Sequence, residues 1–164
     1  DENSREARLM RIAGALRRWA VNRPEIKLNL AKSSRSCTRF TTETMSTLLP
    51  DAPEAPSGWN TPNHYFYEIV NRDGESVRIQ LSFSAHNIPD TLRAQCERID
   101  ALTHNDPIPT GWQWRVTFKT PSVPVADPID EAKLFAGLDG CLDEVRRFET
   151  AALAAIASIS RPGE

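Results

Sequence analysis

The sequence predicts an α+β fold: an antiparallel sheet of about four to five strands, helices packed on it, and a long helix at the C-terminus. Three observations carry that expectation. Two alternating apolar and polar runs between Tyr65 and Phe83 flank Arg72-Asp73-Gly74 and mark a β-hairpin. Residues 4–21 set Leu9, Ile12, Ala13, Leu16, Trp19 and Ala20 on one helical stripe. Residues 130–157 do the same with Leu134, Leu138, Cys141, Leu142, Val145, Phe148 and Ala152.

The elements follow in order. Asn3 or Ser4 caps the first helix and Asn22 to Pro24 end it. Ile26 to Leu30 alternates as a strand, Lys32 to Ser36 is turn material, and Cys37 to Thr42 pairs back as a second strand. Glu43 to Leu49 forms a short helix stopped by Pro50. Five residues between 50 and 63 (Pro50, Pro53, Pro56, Gly58 and Pro62) make an ordered surface loop, because proline at this density prevents regular pairing. In the hairpin, a three-residue loop pairs Ile69 with Val77, Tyr67 with Ile79 and Tyr65 with Leu81. It sets Glu68 against Arg78, with Gly74 in the left-handed position. Pro89 and Asp90 open a helix whose buried stripe is Leu92, Cys96, Ile99 and Leu102. Trp112 to Lys119 is a further strand with Trp112, Trp114, Val116 and Phe118 on one face. Pro121 to Pro128 is a loop before the last helix, where glycine at 137 and 140 weakens the helix yet allows close approach to the sheet. The small apolar tail Ala151–Ala157 either packs under the first helix or offers a surface to another chain, such as a second copy in a homodimer.

At 164 residues and 18.4 kDa, with 40% apolar residues, the chain reads as a single domain spanning 1–164. Its first residue, Asp1, fits a processed chain or a piece of a longer protein. No run approaches the length of about 18 apolar residues that a membrane-spanning helix needs. Nothing marks secretion, and Cys37, Cys96 and Cys141 are odd in number and widely spaced. Reduced thiols in a cytoplasm, with no disulfide framework, metal site or cofactor, are the expectation. The net charge of −2 hides an asymmetry: residues 1–50 carry +5 and the remainder −7. The basic part attracts either phosphates or the acidic remainder of the chain.

Candidate chemistry is sparse. His64 and His86 flank the open end of the hairpin, where a polar cluster would suit acid/base work or a small ligand. The competing role is local capping of strand ends. The segment Lys32 to Arg39 is rich in hydroxyls and cations, which suits phosphate oxygens, but it holds no glycine, is no P-loop, and reads first as a solvated turn. Trp112 with Trp114 and Tyr65 with Tyr67 would stack nucleobases if exposed, but their aliphatic neighbours Val116, Phe118 and Ile69 favour a place in the core; Trp59 in the proline loop is a candidate anchor. Glu131-Ala132-Lys133 has the letters of a nuclease metal motif but opens a helix, where that chemistry cannot assemble. No catalytic set is present.

The order of elements, with the strands Tyr65-Phe66-Tyr67-Glu68 and Trp112-Gln113-Trp114-Arg115, resembles accessory domains of unknown function. Those follow nuclease modules of the PD-(D/E)XK class in bacterial restriction and phage-defence proteins. The resemblance implies a non-catalytic binding or assembly domain beside a DNA-acting nuclease module, and no catalytic residue carries over. Its nucleic-acid contacts would be Arg8, Arg11, Arg18, Lys32, Arg35 and Arg39, with Trp59 as anchor. The alternative is a small enzyme or ligand-binding protein with its site around His64 and His86.

Overall fold

The computed structural model describes residues 2–159. The chain runs α1 (Glu2–Val21), β1 (Ile26–Ser34), β2 (Cys37–Thr42), α2 (Glu43–Leu48), β3 (Tyr65–Val70), β4 (Ser76–Ser84), α3 (Asp90–Asp100), β5 (Trp114–Lys119), β6 (Val123–Pro124) and α4 (Glu131–Ile159). The strands form one antiparallel meander in the order β1-β2-β3-β4-β5, and two-residue β6 pairs the start of β4. The fold is α+β, with a long C-terminal helix. No described helix is long and apolar enough to cross a membrane.

Directly paired residues share a face of a sheet. Phe40 pairs Tyr67, Tyr67 pairs Leu81, and Leu81 pairs Phe118, so these four point to one side. Tyr65, Ile69, Ile79 and Phe83 join them by two-residue alternation. Helices α1, α3 and α4 cover that side, adding Ile12, Leu16, Trp19, Cys96, Leu138 and Val145 to one continuous core. Phe40 stacks on Tyr67 at 5.3 Å between ring centroids, and Phe118 stacks on Phe148 of α4 at 4.5 Å. Burying each such side chain stabilises the fold by roughly 1.5–3 kcal/mol. Helix α1 is tied to the first half of α4: the Trp19 indole and Arg23 both donate to Asp139, at 3.0 and 2.7 Å.

Several expectations need correction. Helix α1 begins at Glu2, ahead of the start expected at Asn3 or Ser4. Strand β1 runs on through Lys32 to Ser34, leaving a turn of only Arg35 and Ser36. Its polar side chains bend the strand instead of ending it: Asn29 Oδ1 accepts from the Lys32 amide, and the Ser33 hydroxyl accepts from the Arg39 amide. The hairpin register lies two residues from the predicted one, with Ile69 opposite Ile79 and Glu68 opposite Gln80. Buried Asn71 causes the slip. Its side chain donates to the Leu9 and Arg35 carbonyls, and its amide donates to Ser36, which removes it from the ladder. Gly74 does take the left-handed conformation, at φ 77°. An even slip preserves the faces, so the core is unaffected.

Strand β5 departs further. Leu81 pairs Phe118 while Ser82 pairs Val116, so Thr117 is an inserted bulge residue and the two sides of the strand exchange there. Phe118 lies in the core, Trp114 points to the opposite side, and Trp112 precedes the strand, buried against Phe83. Pro89 is the cap of α3 rather than its first residue, and Leu102 falls beyond the helix and is exposed. Of the two glycines in α4, only Gly137 marks a close approach: a Cβ there would lie 2.4 Å from Val123. In the helical tail Ala152 is buried, whereas Leu153 and Ile159 are exposed.

Candidate functional site

The other side of the sheet carries no helix. Alternation and pairing place Lys27, Cys37, Arg39, Phe66, Glu68, Val70, Arg78, Gln80, Ser82, Trp114 and Lys119 there. At these strand positions four cations meet a single carboxylate. A shallow cavity of about 330 Å³ lies on this face, between Trp59, Trp114, Arg39, Glu68 and Arg72.

Glu68 is the centre of the face and is buried. Its Oε1 accepts from Gln80 Nε2 at 3.0 Å and from the Ser82 hydroxyl at 2.5 Å. Its Oε2 accepts from Arg39 Nε at 2.8 Å and the Cys37 thiol at 3.2 Å. Burial pushes the Glu68 carboxyl up, but the Ser82, Gln80, Arg39 and Cys37 donors outweigh it and hold the group below its ordinary value. Burial, with the Glu68 charge beside it, pushes the Cys37 thiol up to about 12, so the thiol is inert. Arg39 is fixed at its other end too, donating to the Lys32 carbonyl at 2.7 Å.

Above this polar floor stand two tryptophans. Trp59 meets Phe66 at 4.9 Å and Trp114 at 5.0 Å, both edge-to-face, and the Arg39 guanidinium lies 6.0 Å from its ring centre. Trp114 is 55% exposed, an unusual state for a strand tryptophan. The proline loop that carries Trp59 is pinned beneath it. Gly58 donates its amide to the Ser84 hydroxyl at 2.8 Å, and a Cβ at Gly58 would come within 2.6 Å of the Trp114 ring. The His64 ring is buried between the carbonyls of Ser84 and Ala55, at 3.0 and 2.7 Å. Each ring nitrogen faces a carbonyl acceptor, and the ring joins the loop to the end of β4; His86 is exposed.

The structure distributes the sequence-predicted contacts. Arg39 and Trp59 meet on the open face, and Lys32 reaches it through its carbonyl. Arg8 is a clamp between loops, donating to Gly74 at 2.9 Å and to Val125 at 3.1 Å. Arg18 pairs with Glu131, and Arg35 pairs with Glu6 at 2.6 Å. Arg11 is exposed on α1. These helix and turn cations therefore do not form one surface with Arg39 and Trp59. Sequence reasoning missed Trp114, Arg78, Lys119 and Glu68 as one cluster. The bulge at Thr117 separates Trp114 from the core strand residues, and no local pattern announces it.

Two further buried carboxylates act within the fold. Asp100 takes a bidentate bond from Arg115 at 2.9 and 3.0 Å and one from Thr117, joining α3 to β5. Glu149 of α4 accepts from the hydroxyls of Thr42 and Tyr67. A cleft of about 560 Å³ beside β1 and α2 has an acidic rim of Glu25, Glu43 and Asp51. Among the described residues no group of three His, Cys, Asp or Glu is arranged to hold a metal. No family model, no curated protein and no solved structure matches the chain.

Proposed function

We propose that the chain is a non-catalytic binding module whose helix-free sheet face holds single-stranded nucleic acid. The exposed Trp114, braced by Trp59 above the polar floor around Glu68, is the observation that carries this reading. Every base has a π-face, so an exposed indole stacks bases without regard to sequence, worth about 1–3 kcal/mol per base. Arg72 lines the tryptophan cavity, and Arg78, Lys119 and, on the edge strand, Lys27 lie on the same sheet face, where they would supply phosphate contacts along the strands. Glu68 is neutralised by Arg39 and so does not repel the polymer. Duplex DNA keeps its bases stacked within the helix and gains nothing from the tryptophans.

The buried Cys37 thiol and the His64 ring, enclosed between two backbone carbonyls, favour this reading over an enzyme at the hairpin mouth. A role beside a nuclease module in a bacterial defence protein is compatible with it, since such a partner needs its substrate strand held. The test is direct binding of oligo(dT), oligo(U) and duplex DNA over a salt series. Single strands should bind with a logarithmic salt slope of about −0.7 per phosphate contact, and duplex more weakly. The Lys27→Ala and Lys119→Ala variants should weaken binding with the fold intact. Arg39→Ala is unsuitable here, because it removes the partner of buried Glu68. Equal, salt-insensitive binding of all three polymers, or none at low salt, would exclude the proposal.

A further inference from the structure

We infer that the hairpin end of the open face holds a phosphate subsite, formed by the guanidiniums of Arg72 and Arg78 and the hydroxyls of Ser76 and Ser122. These four groups line a niche of about 270 Å³. Arg78 is only partly satisfied by its protein neighbours. Its Nε is buried with no hydrogen-bond partner, and its Nη2 reaches only Gln80 Oε1, at 3.4 Å. Arg78 is half-buried and Arg72 exposed, and an arginine carries donors and no acceptor, so two such forks facing one niche suit an oxygen-bearing anion. Two guanidinium forks and two hydroxyls offer more donors than a carboxylate can accept, whereas a phosphate presents three or four oxygens to them.

The niche is also held in shape before any ligand arrives. Arg8 donates to Gly74 in the loop that carries Arg72, and to Val125 just beyond Ser122, so both walls hang on one side chain. Arg5 adds a bond to the Arg72 carbonyl at 3.2 Å. The carboxylate in the lining, Asp73, is turned onto the amides of Glu75 and Ser76, at 2.9 and 3.3 Å. Arg72 lines both this niche and the tryptophan cavity, so one side chain joins the two. Anion capture by the niche stands on its own geometry; its place in holding a nucleic-acid strand rests on the function proposed above.

The experiment titrates the whole chain with inorganic phosphate, against chloride at equal ionic strength, while following amide resonances. Oligo(dT) with and without a 5′-phosphate is then titrated, following tryptophan fluorescence. Phosphate should shift the amides of residues 72–78 and 122 saturably, and Arg72→Ala with Arg78→Gln should weaken that binding at least ~10-fold. Should that pair fail to fold, Ser122→Glu, at an exposed loop position, places a carboxylate in the niche and should abolish phosphate binding. Tighter binding of the 5′-phosphorylated oligomer assigns the niche to strand ends; equal binding assigns it to internal backbone phosphates. Resonances identical in phosphate and chloride, or shifts unchanged in the variants, overturn the subsite. In that case oligo(dT) quenching that persists leaves the stacking face standing. Phosphate binding without any oligonucleotide response keeps the niche and removes the strand-binding reading.

Discussion

Each side of this sheet contains a buried glutamate, and the two are treated in opposite ways. On the helix-covered side Glu149 reaches in from α4 and meets two hydroxyl donors, from Thr42 and Tyr67. Burial raises its carboxyl above the ordinary value, and those two bonds offset only part of that. On the open side Glu68 meets four donors, one of them a guanidinium, and is held below the ordinary value. The difference teaches what each side is built from. The covered side is stabilised by apolar contact, and burial there raises the carboxyl above its ordinary value. The open side lacks helices and holds Glu68 in a charged hydrogen-bond network, which leaves a polar floor.

The sharpest way to break the comparison is Glu68→Ala. It strands Arg39, Gln80, Ser82 and Cys37 without their shared acceptor. Removing one partner of a buried ion pair should cost about 3–5 kcal/mol in urea unfolding. Gly137→Ala comes next and tests the covered side. Alanine is the better helix former by about 1 kcal/mol, but its Cβ would collide with Val123, so a net loss of about 1–3 kcal/mol is expected. Trp114→Ala should leave stability within about 1 kcal/mol and reduce oligonucleotide affinity roughly 10-fold or more.

The two glutamates also predict opposite pH behaviour. A raised folded value means that the contribution of Glu149 is fully present below the ordinary carboxyl value of 4.5 and is lost as pH rises through the raised value. A lowered folded value means that the contribution of Glu68 is present above 4.5 and is lost as pH falls through the lowered value. Acidification from neutrality towards 4.5 should therefore recover the Glu149 contribution first. Only further acid removes that of Glu68. Glu149→Gln keeps an acceptor for both hydroxyls and should flatten the upper part of the stability–pH curve. At pH 7.5 it should be neutral or stabilising by up to about 1 kcal/mol. The smallest effect belongs to Lys119→Ala, which should change the salt slope by about 0.7 and stability hardly at all.

The helices and the parity of the hairpin were legible from sequence because apolar spacing encodes burial directly, as in Leu9 to Ala20 and Tyr65 to Ile69. The register was not, since it turned on where Asn71 finds its hydrogen bonds, in α1 and in the turn between β1 and β2. The candidate site was half legible. Trp59 and Arg39 stand out by residue type and setting. Their convergence with Trp114 depended on the Thr117 bulge, which reverses the expected face of one strand. The arginines of α1 looked like phosphate contacts because charge is visible in a sequence, while their partners Glu131, Gly74 and Val125 lie more than 60 residues away.

Intrinsic tryptophan fluorescence during titration with oligo(dT) tests the central claim most directly. Trp19 and Trp112 are buried, so a ligand stacking on the open face should report through Trp59 and Trp114. Quenching should be saturable, weaken with salt and disappear when both Trp59 and Trp114 are replaced by alanine in a folded variant. Unchanged fluorescence at low salt, or quenching that survives that double replacement, would contradict it.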